Sequence, residues 1–129
     1  MQSSINPLQK RLNASYRIST LFLELLERQF PIDDSRSTMK LRYASDFANL
    51  LNVHVNHLNR AMKETTQKTT TQIISDRILQ ESKILLHHSA WNVSEIAYPL
   101  GFTEATHFNN FFKKHMQISP LKFRKILIC

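Results

Sequence analysis

Two runs of polar side chains fall at helical spacing in this chain. One is Thr106, His107, Asn109, Asn110 and Lys113; the other is His54, Asn56, His57, Asn59, Arg60 and Lys63. Amides, imidazoles, a guanidinium and ammonium groups on a helix face form hydrogen bonds and carry positive charge, which suits binding to a polar, anionic surface. Bond-making chemistry is not indicated. The sequence holds no P-loop, no nucleophile elbow and no paired-carboxylate motif, so no catalytic residue is expected. His54 and His57 lie three apart on one helix face, a spacing open to a metal. No cysteine is near and no acidic residue completes a ligand set, so neither metal nor cofactor is expected.

The first run belongs to a short, well-punctuated stretch. Asn92 can cap a helix, with Glu95 three residues later to return the hydrogen bond. Val93, Ile96, Ala97 and Leu100 then share one face. Gly101, the only glycine of the chain, stands where that helix must turn, and glycine tolerates the positive φ of such turns. Phe102 follows as a buried anchor. Thr103 is the expected cap of the next helix, whose inward stripe is Phe108, Phe111 and Phe112. Ser119-Pro120 marks a third start, with proline at the first helical position. Helix, tight turn and second helix with a polar outer face is the helix-turn-helix layout, and its second helix suits the DNA major groove.

Composition sets the class. The 129 residues are 42% hydrophobic with 17 basic and 10 acidic side chains, a formal charge of +7, and the pI is about 9.9. One domain, or two very small ones, with an all-α fold is expected. No apolar run is long enough for a transmembrane helix, the N-terminus lacks the apolar core of a secretory signal, and membrane attachment is not expected. A lone cysteine, Cys129, fits a reducing cytoplasm. After Glu104 no acidic residue occurs, whereas Lys113, Lys114, Lys122, Arg124 and Lys125 all follow. So one-sided a run beside a candidate recognition helix points to phosphate contact.

The remaining elements follow in order. Residues 1–13 read as a flexible lead. Residues 14–30 carry Ile18, Leu21, Phe22, Leu25 and Leu26 on one stripe, a packing helix. A loop rich in turn formers follows Pro31. Residues 44–52 and 54–66 form a helix pair with Asn52 as a left-handed cap between them. Residues 69–88 form the longest helix, with Ile74, Ile78 and Leu85 on one face. The His87-His88 pair is expected to cap its end, and residues 126–129 form a tail.

Residues 46–69 and 95–119 repeat each other. Phe47-Ala48 answers Ile96-Ala97, and Leu51-Asn52-Val53 answers Leu100-Gly101-Phe102. After one inserted residue, Leu58-Asn59 answers Phe108-Asn109, Met62-Lys63 answers Phe112-Lys113, and Gln67 answers Gln117. The repeat implies two helix-turn-helix units, about 44–66 and 92–116, joined by the helix at 69–88. About 18 helical residues span roughly 27 Å, in range of the roughly 34 Å between successive major grooves on one face of B-DNA.

With SEIAYPLGF, HFNNFFKK and ISPLKFRK in place, residues 14–125 resemble the AraC-type DNA-binding domain. That resemblance implies an all-α, seven-helix domain with two helix-turn-helix subdomains joined by a long linker helix. It implies sequence-specific binding of double-stranded DNA by two recognition helices in successive major grooves, regulating and usually activating bacterial transcription, with RNA polymerase as a partner. Carried over by position, Asn56, Asn59 and Arg60 are the base-reading candidates of the first unit, and Thr106, His107 and Asn110 those of the second. Lys63 and Lys113 match positions near the phosphate backbone. An arginine in such a place can pair with guanine and an asparagine with adenine. Members of that family often carry an N-terminal ligand-binding and dimerisation domain, and some are bare DNA-binding domains; the short polar lead reads as linker, so a piece of a longer regulator is the expectation.

Four departures from the family pattern matter. Gln67 and Gln117 replace the glycine usual after each recognition helix, Asn110 replaces a common arginine, Tyr43 and His54 replace capping Ser or Thr, and Thr70 replaces proline. A different class of function stays open beside DNA binding: a helical protein-interaction module whose basic faces meet an acidic partner.

Overall fold

The computed structural model describes residues 6–126. Among these residues there are seven helices and no strand: α1 Pro7–Glu27, α2 Ala44–Leu51, α3 Val55–Thr66, α4 Thr70–His88, α5 Val93–Ala97, α6 Ala105–Met116 and α7 Pro120–Ile126. Among the described residues no helix is long and apolar enough to cross a membrane. The expectations for residues 1–5 and for 127–129, Cys129 included, lie outside the described residues, while Ile126, expected in the tail, closes α7.

The flexible lead expected over 1–13 is corrected from residue 7 onward. Asn6 accepts from the Gln9 N–H at 2.8 Å and Pro7 opens α1, so a local cap starts the helix seven residues before the expected start at 14. The buried face of α1 also differs. Ser15, Ser19, Phe22 and Leu26 point inward, while Leu21 is exposed. The cause is the close approach of α3. Ser15 Oγ donates to Glu64 Oε2 at 2.7 Å, and Ser19 Oγ lies 2.7 Å from Thr65 Oγ1 and 3.3 Å from the Ala61 carbonyl. Small hydroxyls fit where leucines would hold the helices apart, and each finds a partner as buried polar groups must.

The chain divides into two compact units, residues up to 28 with 43–74, and residues 29–42 with 75 onward. In the first unit Phe22, Leu26, Phe47, Ala48, Leu58, Ala61 and Met62 form the core. The Phe22 and Phe47 rings meet edge to face at 4.8 Å, a favoured aromatic geometry. α4 starts in this unit, where Thr69 and Gln72 cap each other reciprocally. That box replaces the usual proline as a start signal, and Thr70 lies fully buried behind it.

In the second unit Ile78, Leu85, Leu86, Ile96, Ala97, Leu100, Phe108, Phe112 and Phe123 form the core. Phe102 and Phe111, expected inside, are only half-buried and pack on each other at 5.2 Å. The expected histidine cap of α4 is replaced. Arg124 of α7 donates through Nε to the Leu86 carbonyl at 2.8 Å, and through Nη2 to those of Leu85 and Ser89. A guanidinium at a helix C-terminus satisfies open carbonyls and matches the dipole. His87 instead stacks on Phe123 at 4.4 Å.

Residues 29–42 contain no helix or strand but are bonded along their length. The Gln29 amide brackets Leu41, donating to its carbonyl at 2.8 Å and accepting from its N–H at 2.9 Å. The Ile32 N–H donates to Glu81 Oε2 at 2.8 Å, and the Met39 N–H to the Pro99 carbonyl at 2.9 Å. Glu81 is 1% exposed. Its second oxygen takes Arg77 Nη1 at 3.1 Å, and the Arg77 guanidinium lies 3.9 Å from the Phe30 ring centre. Asp34 closes a turn by accepting from the Arg36 N–H and the Ser37 hydroxyl, and these bonds hold its carboxyl below the usual range.

Candidate nucleic-acid interface

The sequence repeat is a repeat of backbone geometry. α2 turns at Asn52, φ 58, with the Val53 N–H donating to the Ala48 carbonyl at 3.0 Å. α5 is followed by a turn at Gly101, φ 90, with the Phe102 N–H donating to the Ala97 carbonyl at 3.1 Å. α3 and α6 are both 12 residues long. α3 ends at Gln67, φ 65, bonded to the Lys63 carbonyl, and α6 at Gln117, φ 66, bonded to the Lys113 carbonyl. The two glutamines thus adopt the left-handed cap that the missing glycines would have supplied.

The starts of α3 and α6 are less conventional. His54 takes the part of the usual Ser or Thr: its Nδ1 accepts from the Asn56 N–H at 3.1 Å. α6 begins one residue later than a Thr103 cap implies. Glu104 is extended at φ −139 and its carbonyl accepts the first helical N–H groups, from His107 and Phe108. Thr103 Oγ1 lies 3.5 Å from His107 Nδ1 instead, and Glu104 Oε2 lies 3.9 Å from His107 Nε2. At the head of α2, Tyr43 offers no side-chain cap, but Asp46 accepts from its backbone N–H at 2.8 Å.

Of the eight sequence candidates, Asn56, Arg60 and Lys63 on α3 and Thr106, His107, Asn110 and Lys113 on α6 are exposed. Asn56, Arg60 and Lys63 follow i, i+4, i+7, as do Thr106, Asn110 and Lys113, so each set forms one line along its helix. Asn59 is half-buried, and so is Asn109, its counterpart in the repeat. The same register pairs exposed His57 with His107. Sequence reading passed over His57 as a base-reading candidate, although aligning Leu58-Asn59 with Phe108-Asn109 already places it there. Lys63 Nζ rests 3.4 Å from the Gln67 carbonyl, within easy reach of solvent.

The basic run is reduced by one. Lys113, Lys114, Lys122 and Lys125 are exposed, but the Arg124 guanidinium is committed to the carbonyls that end α4. That side chain holds the fold and is not a free phosphate ligand.

A family model described as a helix-turn-helix domain matches residues 47–126. The chain belongs to the AraC-type helix-turn-helix family. Family and fold are those of DNA-binding transcription regulators and not of enzymes. Among curated relatives, the uncharacterized HTH-type transcriptional regulator YdeC of Bacillus subtilis is 33% identical over 67 residues, 52% of this chain and 23% of that protein. The HTH-type transcriptional activator RhaS of Escherichia coli is 32% identical over 68 residues, 53% of this chain and 24% of that protein. The chain therefore spans about a quarter of the length of the curated relatives it matches. Among solved structures, a transcriptional regulator with an AraC-type DNA-binding domain from Chromobacterium violaceum superposes with a TM-score of 0.65 at 20% identity, over 88% of this chain and 94% of that one.

Proposed function

We propose that the chain binds double-stranded DNA by sequence, with α3 and α6 entering successive major grooves, and that it thereby regulates bacterial transcription from the cytoplasm. The observation that carries this reading is the doubled geometry. Two 12-residue helices with matching left-handed ends hold polar side chains in one line each, and hydrogen-bonding groups along a helix that fits the major groove are what base reading needs. Arg60 is assigned to guanine, Asn56 and Asn110 to base edges with Thr106 and His107 beside them, and His57 joins the first set. Asn59 lies at the margin of its set. Lys63 and Lys113 take phosphates. Activation, with a contact to RNA polymerase, is the sign of regulation we propose, as RhaS carries the name of an activator. A longer protein with a ligand-binding domain ahead of this one accords with the length of the relatives.

The test is selection of bound duplexes from a random pool at two salt concentrations. Two short enriched blocks about one helical turn apart are expected. A single block would assign one helix to backbone contact alone. No enrichment, with binding lost at moderate salt, would reduce the interaction to charge attraction and favour a protein partner for the basic faces.

A further inference from the structure

Arg42 closes the bonded segment 29–42, and its side chain ends on the turn that precedes α6. Nε donates to the Leu100 carbonyl at 3.1 Å. The guanidinium carbon lies 5.1 Å from the Phe102 ring centre, in the range of a cation–π contact. Between those two contacts stands Gly101. A Cβ built there would lie 2.7 Å from Arg42 Cδ and 3.0 Å from its Nε. The sister turn carries a side chain in the corresponding place, on Asn52 at φ 58. At φ 90 the backbone of Gly101 strains any residue with a Cβ, and the Arg42 side chain also fills the space that Cβ would need. Phe102 in turn packs on Phe108 at 5.5 Å and on Phe111 at 5.2 Å. The path runs from the guanidinium through one ring to the buried side of α6.

We propose that Arg42 is a positioning residue for the second recognition helix. It clamps the Leu100–Phe102 turn and so sets the angle at which α6 presents Thr106, His107 and Asn110. The proposal rests on α6 being a base-reading helix. Arg42 acts through Phe102 and touches no base. It is also the residue immediately before Tyr43, the N-cap of α2, so the side chain that fixes one helix-turn-helix is attached at the threshold of the other.

The test uses the full chain and the random-pool selection, with the α6 block identified as the one that Asn110→Ala weakens. Arg42→Ala is expected to cut base discrimination in the α6 block by about fivefold or more at one base pair and to leave the α3 block unchanged. Arg42→Lys keeps the stem and charge but loses the Nε donor; it is expected to show the same one-sided loss, and decides the matter if Arg42→Ala does not fold. A denaturant cycle reads the contact without DNA: Gly101→Ala should lower the unfolding midpoint more in the parent chain than in Arg42→Ala, which lacks the Cγ, Cδ and Nε that the new Cβ meets. Equal losses in both blocks, an unchanged α6 block, or equal midpoint shifts in the two backgrounds would overturn the proposal. A parent chain that enriches no α6 block removes the underlying assignment of α6 and the proposal with it. A parent block that survives both Arg42 variants removes the proposal alone.

Discussion

Arg60 and Lys63 lie nearly one turn apart on α3, both exposed, yet they differ in what they convey about a DNA sequence. A guanidinium forks onto two acceptors of one guanine, whereas an ammonium meets a phosphate that every sequence offers. Arg60→Ala is expected to cost about 1–3 kcal/mol on the preferred duplex and to relax one base pair, while Lys63→Ala weakens all duplexes alike and lowers the salt slope by about one. Binding isotherms on cognate and scrambled duplexes at several salt concentrations check both, and equal losses for Arg60→Ala on the two would assign it to the backbone. Gln67 and Gln117 supply a second residue-scale prediction. A left-handed residue with a Cβ is strained by about 1–2 kcal/mol. Gln67→Gly and Gln117→Gly should each raise stability by about 0.5–1 kcal/mol, less than the strain because glycine loses more entropy on folding. Chemical denaturation reads this directly, and a lowered midpoint would mean that the glutamine side chains hold those ends. The Gln117 amide does donate to the Lys114 carbonyl at 3.2 Å, so the smaller gain is expected there.

At the scale of elements, local signals were legible and long-range ones were not. The capping box at Asn92, the turn at Gly101, the left-handed Asn52 and the start at Ser119-Pro120 are written within four residues each, and the structure keeps them. The inward face of α1 was misjudged because apolar count favours Leu21 over Ser15 and Ser19. What decides the face is the backbone of α3 some forty residues on, which no periodicity in α1 can reveal. Arg124 was misassigned for a similar reason: a cation among lysines looks like surface until its carbonyl partners on α4 are known. Arg124→Met is therefore expected to destabilise the fold by about 1–3 kcal/mol, the cost of stranded carbonyls, while leaving the salt slope of DNA binding where it was. A slope reduced by about one with no loss of stability would return Arg124 to the phosphate ligands.

For the whole molecule, the repeat makes the architecture legible in the sequence alone. Two copies of one pattern around one long helix leave few alternatives. The segment 29–42 was legible only as a loop, since its order comes from bonds to Glu81 and Pro99, far along the chain. Those bonds predict that residues 75–129 made alone will lack a cooperative unfolding transition, because Pro99, Leu100 and Glu81 lose their partners. Circular dichroism against denaturant concentration would show it, and a sharp transition in that fragment would make the segment dispensable. The polypeptide belongs to one unit, then the other, then the first, then the second again. For anyone building chimeras, neither half is a cassette. Exchanging residues 75–129 with a relative transplants α6 but leaves Arg42, Met39 and Ile32 behind on the host side of the junction. A hybrid regulator with a borrowed second reading head has to inherit 29–42 from the same donor, at the cost of two extra breakpoints, one at each end of that segment.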